Sequence, residues 1–343
     1  TMANVVPGGT SKYPALVDFS KAYNEDNTDA VLYTPYIVSI AAGADHALAL
    51  DSDGTVWAWG ANAYGQLGND DTDGSASAAP VHVVGGLAAA GAFPYLSEED
   101  ESNGYHYLDN VVAIAAGNQF SLALRSNGTV FAWGRNGNDI IGGYQNQGWN
   151  FKAGYQLGQG TVDTGNPTTP TDDRQDRYVP VPDYGGAQGG AQLTGIISID
   201  AGDSHGVALT AGGEVYAWGT YYYGGHRWHE VYYYNYPQYV IWKAPTKVTL
   251  TTTDIVAVSA GAHHDLALTA DGSVWAWGNN MFGTLGNGKQ SGMPYQSAQI
   301  PVSMDPVQVL GGQAPTAGEY LTGVMGLSAG LYTNLVMTTD GYV

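Results

Sequence analysis

Three histidines recur at one position of a repeated phrase and are the first candidates for chemistry. His46, His205 and His264 each follow a glycine by three residues. Imidazoles that faced one channel could bind a metal ion. A whole repeat separates each histidine from the next, however, so we predict that they are hydrogen-bonded structural residues.

A second pair of histidines lies in a tyrosine-rich stretch. His226 and His229 have H-x-x-H spacing and are followed by Glu230. On a helix this spacing would bring two imidazoles together, but the surrounding tyrosines predict a strand or a loop. The zinc signature H-E-x-x-H is absent from the sequence. We therefore predict no zinc site at these residues.

One acidic loop resembles the opening of a calcium-binding loop. Asn69 to Gly74 place oxygen-bearing side chains at positions one, three and five and a glycine at position six. Position twelve would be Pro80, where an EF-hand has a bidentate glutamate, so an EF-hand is excluded. A looser calcium site formed by Asp71 and Asp73 is the alternative, and the sequence predicts no other cofactor.

No group of residues has the spacing of a known catalytic motif. No P-loop or G-x-S-x-G motif is present. Ser52 to Trp57 is too short for the turn motif of sialidases, and the five arginines are scattered along the chain. Paired carboxylates for glycoside hydrolysis stay open, because their separation in space is not visible in a sequence. We predict that the chain is not an enzyme.

The elements that carry these residues come from one phrase that occurs five times. Copies begin near residues 37, 111, 196, 255 and 324. Each copy predicts an apolar strand, an alternating strand, a Gly-containing hairpin turn and, in the first four copies, a strand with the pattern aromatic-Ala-Trp-Gly. The recurring structural residues, besides the three histidines, are Gly43, Trp59, Gly117, Trp133, Gly202, Trp218, Gly261, Trp277 and Gly330.

The aromatic-Ala-Trp pattern gives each predicted sheet one bulky face and one thin face. Residues at i and i+2 of a strand share a face, and the alanine between them points to the other side. Such sheets stack against copies of themselves around an axis. A single sheet could not bury its aromatic face alone, so the sequence predicts an all-β propeller of several blades.

The repeated phrase resembles the RCC1 repeat family. The resemblance rests on Ile40 to Leu50 (IAAGADHALAL) and on two downstream stretches, Trp59 to Gly68 and Trp277 to Gly286. It implies a seven-bladed β-propeller, whereas the sequence contains five repeat starts. Two copies depart from the pattern, with Phe120 and Thr333 in place of the histidine. We expect residues 37–343 to form the propeller and residues 1–36 to close a blade or contact another subunit.

Four long insertions separate the repeats. They run from Asp70 to Asn110, Gly137 to Gly195, Thr220 to Lys243 and Gly288 to Thr322. Long connections on a rigid scaffold commonly carry binding sites. The third insertion is rich in tyrosine and tryptophan, side chains that favour interfaces and stack on sugars. Its predicted binding residues are Tyr221, Tyr222, Tyr223, Trp228, Tyr232, Tyr233, Tyr234, Tyr236 and Trp242. Packing of these rings on the propeller wall is the alternative.

Composition narrows the class of partner. The formal net charge is −20, from 31 acidic and 11 basic residues. Nucleic acid and anionic membranes attract clustered Lys and Arg, so neither is an expected partner. The chain contains no cysteine and no apolar run long enough for a membrane-spanning helix, so we expect no membrane insertion.

These observations lead to one main functional prediction and two alternatives. The acidic, Tyr- and Gly-rich composition favours a non-enzymatic scaffold at a prokaryotic cell surface or outside the cell. This scaffold would assemble into a filament, appendage or surface layer, or act as an adhesin, with other subunits or surface glycans as partners. The first alternative is a protein-binding regulatory module, such as an exchange factor or a secreted inhibitor. The second is a carbohydrate-active enzyme.

Overall fold

Short apolar strands separated by glycine turns account for the regular structure of the chain. The computed structural model describes residues 16–17, 19, 35–71, 73–85, 106–137, 139–140, 152–153, 155–158, 174–181, 192–222, 239–280, 282–289, 303–311 and 319–343. Within these ranges there is no α-helix, which confirms the predicted all-β fold. The same residues contain no helix that is long and apolar enough to span a membrane.

The described strands are numbered in chain order. They are β1 (Ile37–Ala42), β2 (His46–Asp51), β3 (Val56–Gly60), β4 (Ser77–His82), β5 (Val84–Gly85), β6 (His106–Tyr107), β7 (Val111–Ala116), β8 (Phe120–Arg125), β9 (Val130–Arg135), β10 (Asp139–Ile140), β11 (Lys152–Ala153), β12 (Arg174–Pro180), β13 (Ile196–Ala201), β14 (His205–Thr210), β15 (Val215–Tyr222), β16 (Tyr239–Lys247), β17 (Ile255–Ala260), β18 (His264–Thr269), β19 (Val274–Gly278), β20 (Ser303–Gln308), β21 (Val324–Ala329) and β22 (Asn334–Thr338).

Four repeats form four-stranded antiparallel sheets, which we call blades 1 to 4. Blade 1 has the strand order β1-β2-β3-β4, blade 2 has β7-β8-β9-β12, blade 3 has β13-β14-β15-β16 and blade 4 has β17-β18-β19-β20. The fifth repeat is described as the hairpin of β21 and β22. There are two further two-stranded pairs: β5-β6 lies between blades 1 and 2 in the sequence, and β10-β11 lies between the third and fourth strands of blade 2.

The predicted turn between the second and third strands is confirmed in every repeat. The glycine of each turn has a positive φ, a conformation that costs a side-chain-bearing residue free energy and costs glycine little. The values lie between 77° and 87°. These turn glycines are Gly54, Gly128, Gly213, Gly272 and Gly341.

The fourth strand of each blade was not predicted. Strands β4, β12, β16 and β20 come from the segments that the sequence suggested were insertions. In blade 1, β4 pairs with β3 through Trp57 opposite His82. Each insertion therefore returns to its blade and supplies the outer strand, so that less of it is left to form a separate binding loop.

Each blade has the thick and thin faces that the aromatic-Ala-Trp pattern predicts. The central alanine of the third strand has no solvent exposure in any of blades 1 to 4. Trp133, Trp218 and Trp277 are fully buried as well, whereas Trp59 of blade 1 is partly exposed. The second strand is buried on both faces in blades 2 and 4, because the leucines on one side and the alanines on the other are both covered.

Two compact units divide the chain. The first comprises residues 1–138, 162–181 and 192–194 and contains blades 1 and 2. The second comprises residues 139–161, 182–191 and 195–343 and contains blades 3 and 4 and the fifth hairpin. Of the proposed N-terminal segment 1–36, residues 16–17, 19 and 35–36 are described, and the ring of Phe19 packs edge-on against Trp57 and Trp59 of blade 1.

Candidate protein-binding surface

Within each unit, the recurring histidine links its blade to the next repeat. Nε2 of His46 is 2.9 Å from Oγ of Ser121, and Nε2 of His264 is 2.6 Å from Oδ1 of Asn334. Ser121 and Asn334 hold the same position in their repeats, directly after the residue equivalent to the histidine. Burial lowers the pKa of His46 to about 4, so this imidazole is neutral at pH 7. These contacts place the histidines in the packing between blades.

The recurring glycine makes room for that histidine. A Cβ on Gly261 would lie 2.7 Å from Nδ1 of His264 and 2.6 Å from the carbonyl oxygen of Gly330 in the next repeat. A Cβ on Gly43 would overlap the imidazole of His46 in the same way, and one on Gly117 would overlap the ring of Phe120. Because both sides are occupied, only glycine fits where neighbouring repeats approach each other most closely.

The indole N–H of the recurring tryptophan donates a hydrogen bond to a loop of the preceding repeat. Nε1 of Trp133 donates a hydrogen bond of 3.0 Å to the carbonyl oxygen of Gln66. Nε1 of Trp218 donates one of 2.9 Å to the carbonyl oxygen of Gln156. Gln66 and Gln156 lie in the loop that follows the third strand of blades 1 and 2. Trp133 and Trp218 are therefore held, each within its own unit, by a loop from the preceding repeat.

In the described part of blade 3, strand β15 takes the place of such a loop, and Tyr221 is fully buried there. Strand β15 continues to Tyr222 and pairs with β16 as a long hairpin. The hydroxyl of Tyr221 donates a hydrogen bond of 2.5 Å to Oδ2 of Asp265, and its ring stacks on His205 at 4.2 Å. Nε2 of His205 donates to the other oxygen of Asp265 at 2.9 Å. Nε1 of Trp277 in blade 4 is buried and has no acceptor.

Some of the predicted aromatic binding residues lie in the part of the chain that the structure describes, and the others do not. Tyr221 is fully buried, and Trp242 packs edge-on against it at 5.5 Å. Both rings thus take the alternative arrangement, packed on the propeller wall. The backbone of Tyr222 belongs to β15. The other predicted residues lie outside the described ranges: Tyr223, Trp228, Tyr232, Tyr233, Tyr234 and Tyr236.

Asp71 and Asp73, the predicted calcium ligands, accept hydrogen bonds from the backbone of their own loop. Oδ1 of Asp71 accepts a hydrogen bond from the backbone N–H of Asp73, and Oδ1 of Asp73 accepts one from that of Ser75. The described residues hold no group of three or more histidine or acidic side chains that could bind a metal ion. The calcium site at Asp71 and Asp73 stays a prediction.

Asp200 and Ser259, which depart from the repeat pattern, form a chain of hydrogen bonds that joins three consecutive repeats. Oδ2 of Asp200 accepts bonds from the backbone N–H of Ala260 at 2.9 Å and from Oγ of Ser259 at 3.1 Å. Oγ of Ser259 accepts one from the backbone N–H of Ala329. Burial raises the pKa of Asp200, and the hydrogen bonds that it accepts partly offset this shift. Asp200 and Ser259 are polar residues at a repeat position that usually holds a small residue, and this departure is visible in the sequence.

The turns that follow the recurring glycines include exposed side chains in the first, second and fifth repeats and only buried or half-buried ones in the third and fourth. In the first four repeats the two turn residues are small or polar, as in Ala44-Asp45 and Asn118-Gln119. The fifth repeat has Leu331 and Tyr332, which are 56% and 37% exposed. Tyr332 contacts Phe282, itself 45% exposed, edge-on at a ring distance of 4.8 Å.

Comparison with family models identifies the repeats. Models of the regulator of chromosome condensation (RCC1) repeat match residues 37–66, 111–139, 196–224 and 255–284, and a second RCC1 model matches residues 53–124 and 271–317. Together these matches span more than half of the chain. The chain belongs to the RCC1 repeat family. The resemblance predicted from the sequence is confirmed, and so is the propeller fold.

Relatives of this RCC1 repeat chain include eukaryotic regulatory proteins. The ultraviolet-B receptor UVR8 of Arabidopsis thaliana is 27% identical over 79% of this chain and 49% of its own length. The guanine nucleotide exchange factor SRM1 of Saccharomyces cerevisiae is 26% identical over 73% of this chain and 46% of its own length. The chain thus spans about half the length of these relatives.

Solved structures support the same RCC1 fold. The crystal structure of Prp20p from Saccharomyces cerevisiae, described with its binding to Gsp1p and histones, matches with a TM-score of 0.54. The match covers 89% of this chain and 56% of that one at 21% identity. At this level of identity the similarity establishes the fold alone.

The relatives overturn the main functional prediction for this RCC1 repeat chain. A self-assembling or adhesive scaffold outside the cell or on a prokaryotic surface is wrong, because the relatives include the ultraviolet-B receptor UVR8 of a plant and the guanine nucleotide exchange factor SRM1 of yeast. The predicted extracellular, prokaryotic location is wrong for the same reason. An acidic charge governs solubility and the choice of partner and does not identify a compartment. Partner binding by a relative is shown for proteins and not for glycans or self-association.

Proposed function

We propose that this chain is a non-enzymatic, protein-binding regulatory module whose partner presents a basic surface. The observation that carries the proposal is its membership in the RCC1 repeat family, whose relatives include SRM1 and Prp20p. The buried linking residues give each unit a rigid framework, and the exposed turns are left for recognition.

Net charge supports the choice of a basic partner. A chain with a formal charge of −20 produces a negative potential that steers positively charged proteins towards it. Such steering weakens as salt screens the charges over distances of about 8 Å at physiological ionic strength. Histones, which the description of Prp20p names, are basic proteins and fit this requirement.

A binding measurement with purified proteins tests the proposal. The chain would be titrated with core histones and with Gsp1p by isothermal calorimetry at about 50 and 300 mM salt. We expect saturable binding to at least one of them, with higher affinity at the lower salt concentration if the partner is basic. Hen lysozyme, a basic protein of unrelated fold, is the control. Equal binding to lysozyme, or no binding to either candidate, would contradict the proposal.

Guanine-nucleotide exchange is the second candidate function. SRM1, a relative over 73% of this chain, is named as a guanine nucleotide exchange factor. Accelerated release of a fluorescent GDP analogue from Gsp1p would support exchange activity. Binding to Gsp1p without acceleration would favour the simpler binding role.

A further inference from the structure

We propose that Tyr155 and Lys243 form a contact site for a carboxylate side chain of the partner protein. This inference rests on the proposed function and adds the contact point and the chemistry of the contact. Both residues belong to the second compact unit. The inference is carried by the backbone conformation of Tyr155, by its contact with Lys243 and by the departure of both residues from the other repeats.

Tyr155 occupies a loop position that glycine holds in two other repeats. The backbone N–H of Gly158 donates a hydrogen bond of 2.9 Å to the carbonyl oxygen of Tyr155. The equivalent bond closes the loops at Gly65 and Gly283, at 2.9 and 3.0 Å. The backbone φ is 71° at Tyr155 and 77° at both glycines. The three loops therefore make the same turn, and of these three residues Tyr155 alone carries a side chain.

The turn itself does not need that side chain. A φ in the left-handed region costs tyrosine free energy and costs glycine little. A Cβ on Gly283 would meet no atom within 4 Å, so a side chain at this loop position has no packing role there. The first repeat has the order Tyr64-Gly65, whereas here the order is Gly154-Tyr155. Backbone strain of this kind is concentrated at functional sites, which makes Tyr155 a candidate contact residue.

The ring of Tyr155 lies against a lysine that has no acidic partner in the described part of the chain. Nζ of Lys243 is 5.4 Å from the centroid of the half-buried Tyr155 ring. Lys243 is exposed on β16, where the equivalent residues of β4 and β20 are Ala78 and Met304. A cation–π contact at an exposed site is weak and offsets only part of the strain.

Two hydrogen-bond donors at one place favour an anionic oxygen as the acceptor. Within the described residues, the ammonium group of Lys243 and the hydroxyl of Tyr155 make no hydrogen bond. Both groups can donate to a carboxylate, and the ammonium group repels a basic side chain. In a chain of net charge −20, a positive contact point sets the register of a basic partner that carries a carboxylate at the matching place.

Reversal of one charge separates this contact from the effect of net charge. Lys243→Glu makes the chain more negative, so net charge alone predicts tighter binding of a basic partner. We expect weaker binding instead, by roughly three- to tenfold, because an ion pair becomes a repulsion. Isothermal calorimetry with recombinant, unphosphorylated core histones and with Gsp1p would measure the change, and such partners offer carboxylates and no phosphate.

A second lysine provides the matched control. Lys289 is exposed and has no acidic partner among the described residues, like Lys243. Lys289→Glu changes the net charge by the same amount and should bind the partner as tightly as the unmodified chain or more tightly. Circular dichroism would establish that both variants are folded.

Variants of Tyr155 test the strain and the ring together. Tyr155→Gly should shift the urea midpoint of unfolding upward, because glycine accepts this φ, and should weaken partner binding roughly two- to fivefold. A variant that gains stability and loses affinity cannot owe that loss to misfolding. Tyr155→Phe keeps the ring and the strained backbone, so it should leave the midpoint unchanged and weaken binding less than Tyr155→Gly does.

Each outcome decides either this inference or the proposed function. If Lys243→Glu binds the partner at least as tightly as the unmodified chain, the contact site is wrong and the proposed function stands. If Tyr155→Gly keeps the unmodified affinity, or if it lowers the urea midpoint, the assignment of Tyr155 is wrong. If the unmodified chain binds neither histones nor Gsp1p, the proposed function fails and the inference fails with it.

Discussion

At the scale of single residues, a glycine and the residue three positions later determine how neighbouring repeats meet. His46, His205 and His264 cover their own glycine and bond to the next repeat through Nε2. The second repeat has Phe120 at this position, and its ring covers Gly117 by shape alone. In the first four repeats this position therefore holds a flat ring over the glycine, and the hydrogen bond is an addition to that packing; the fifth repeat has Thr333 instead.

Gly261→Ala is expected to destabilise the chain. The new Cβ would meet His264 on one side and the carbonyl oxygen of Gly330, 2.6 Å away, on the other. Overpacking of this kind costs about 1–3 kcal/mol. Urea unfolding followed by tryptophan fluorescence would measure the loss. The control is Gly212→Ala, where the nearest atom to a Cβ is 3.8 Å away. Similar losses in both variants would show that tight packing at Gly261 is not the cause.

The free energy of unfolding should depend on the protonation of His46. Burial lowers the pKa of His46 from 6.5 to about 4 in the folded chain. Between pH 6.5 and 4 the unfolded chain therefore binds a proton that the folded chain does not, and stability falls as the pH falls. The contribution of this residue is at most about 3 kcal/mol, and it is fully present above pH 6.5.

Replacement of His46 by phenylalanine, the residue type of the second repeat, should remove this contribution. The unfolding free energies of the unmodified chain and of His46→Phe would be compared at several values between pH 4 and 7. We expect the difference between them to change with pH, since every other titrating group is shared. Two parallel curves would mean that His46 does not titrate abnormally.

At the scale of elements, the third repeat departs most from the others. Its third strand runs on into the β15–β16 hairpin, and Tyr221 enters the core where blades 1 and 2 have a loop. Among the described residues of the third repeat, no carbonyl takes the place of those of Gln66 and Gln156, and Nε1 of Trp277 has no hydrogen bond.

Removal of the indole N–H should therefore cost less in blade 4 than in blade 3. Trp218→Phe loses a 2.9 Å hydrogen bond and leaves the carbonyl oxygen of Gln156 buried, whereas Trp277→Phe loses no hydrogen bond. Both indoles are fully buried, so the loss of apolar contact is similar. We expect Trp218→Phe to be less stable than Trp277→Phe by roughly 1 kcal/mol in chemical denaturation. Equal losses would show that the bond to Gln156 contributes little.

The sequence predicts the elements that recur and misses those that do not. Glycine turns and the aromatic-Ala-Trp strand repeat closely, so three strands per blade follow from the pattern alone. The fourth strand varies in sequence and lies at the sheet edge, where proline is tolerated. A weaker Pro-x-x-Val signal marks the end of three of these strands: Pro80 to Val83, Pro245 to Val248 and Pro306 to Val309.

The aromatic insertion shows why the candidate site was harder to predict than the fold. Composition indicated many aromatic rings, but the same residue types suit an interface and a core. Tyr221 is in the core because a buried carboxylate, Asp265, lies within reach of its hydroxyl. Contacts across 44 residues of sequence are set by the packing of blades, which no local pattern encodes.

At the scale of the whole molecule, charge indicates a preferred partner and does not identify a cellular location. A formal charge of −20 is equally consistent with a soluble scaffold and with a regulator that binds a basic protein. The family relationship is the ground on which we propose regulation. In our account the blades serve as a rigid support, and recognition takes place at side chains on the turns between strands.

Hydrogen–deuterium exchange with and without core histones tests this division of roles most directly. Strands such as β2 and β8 are buried and hydrogen-bonded, so their exchange should be slow and unchanged by the partner. Exchange should slow on binding in turns that carry exposed side chains, such as Ala44-Asp45 and Ser52-Asp53. Changes spread through the strands, or protection confined to other surfaces, would contradict the account.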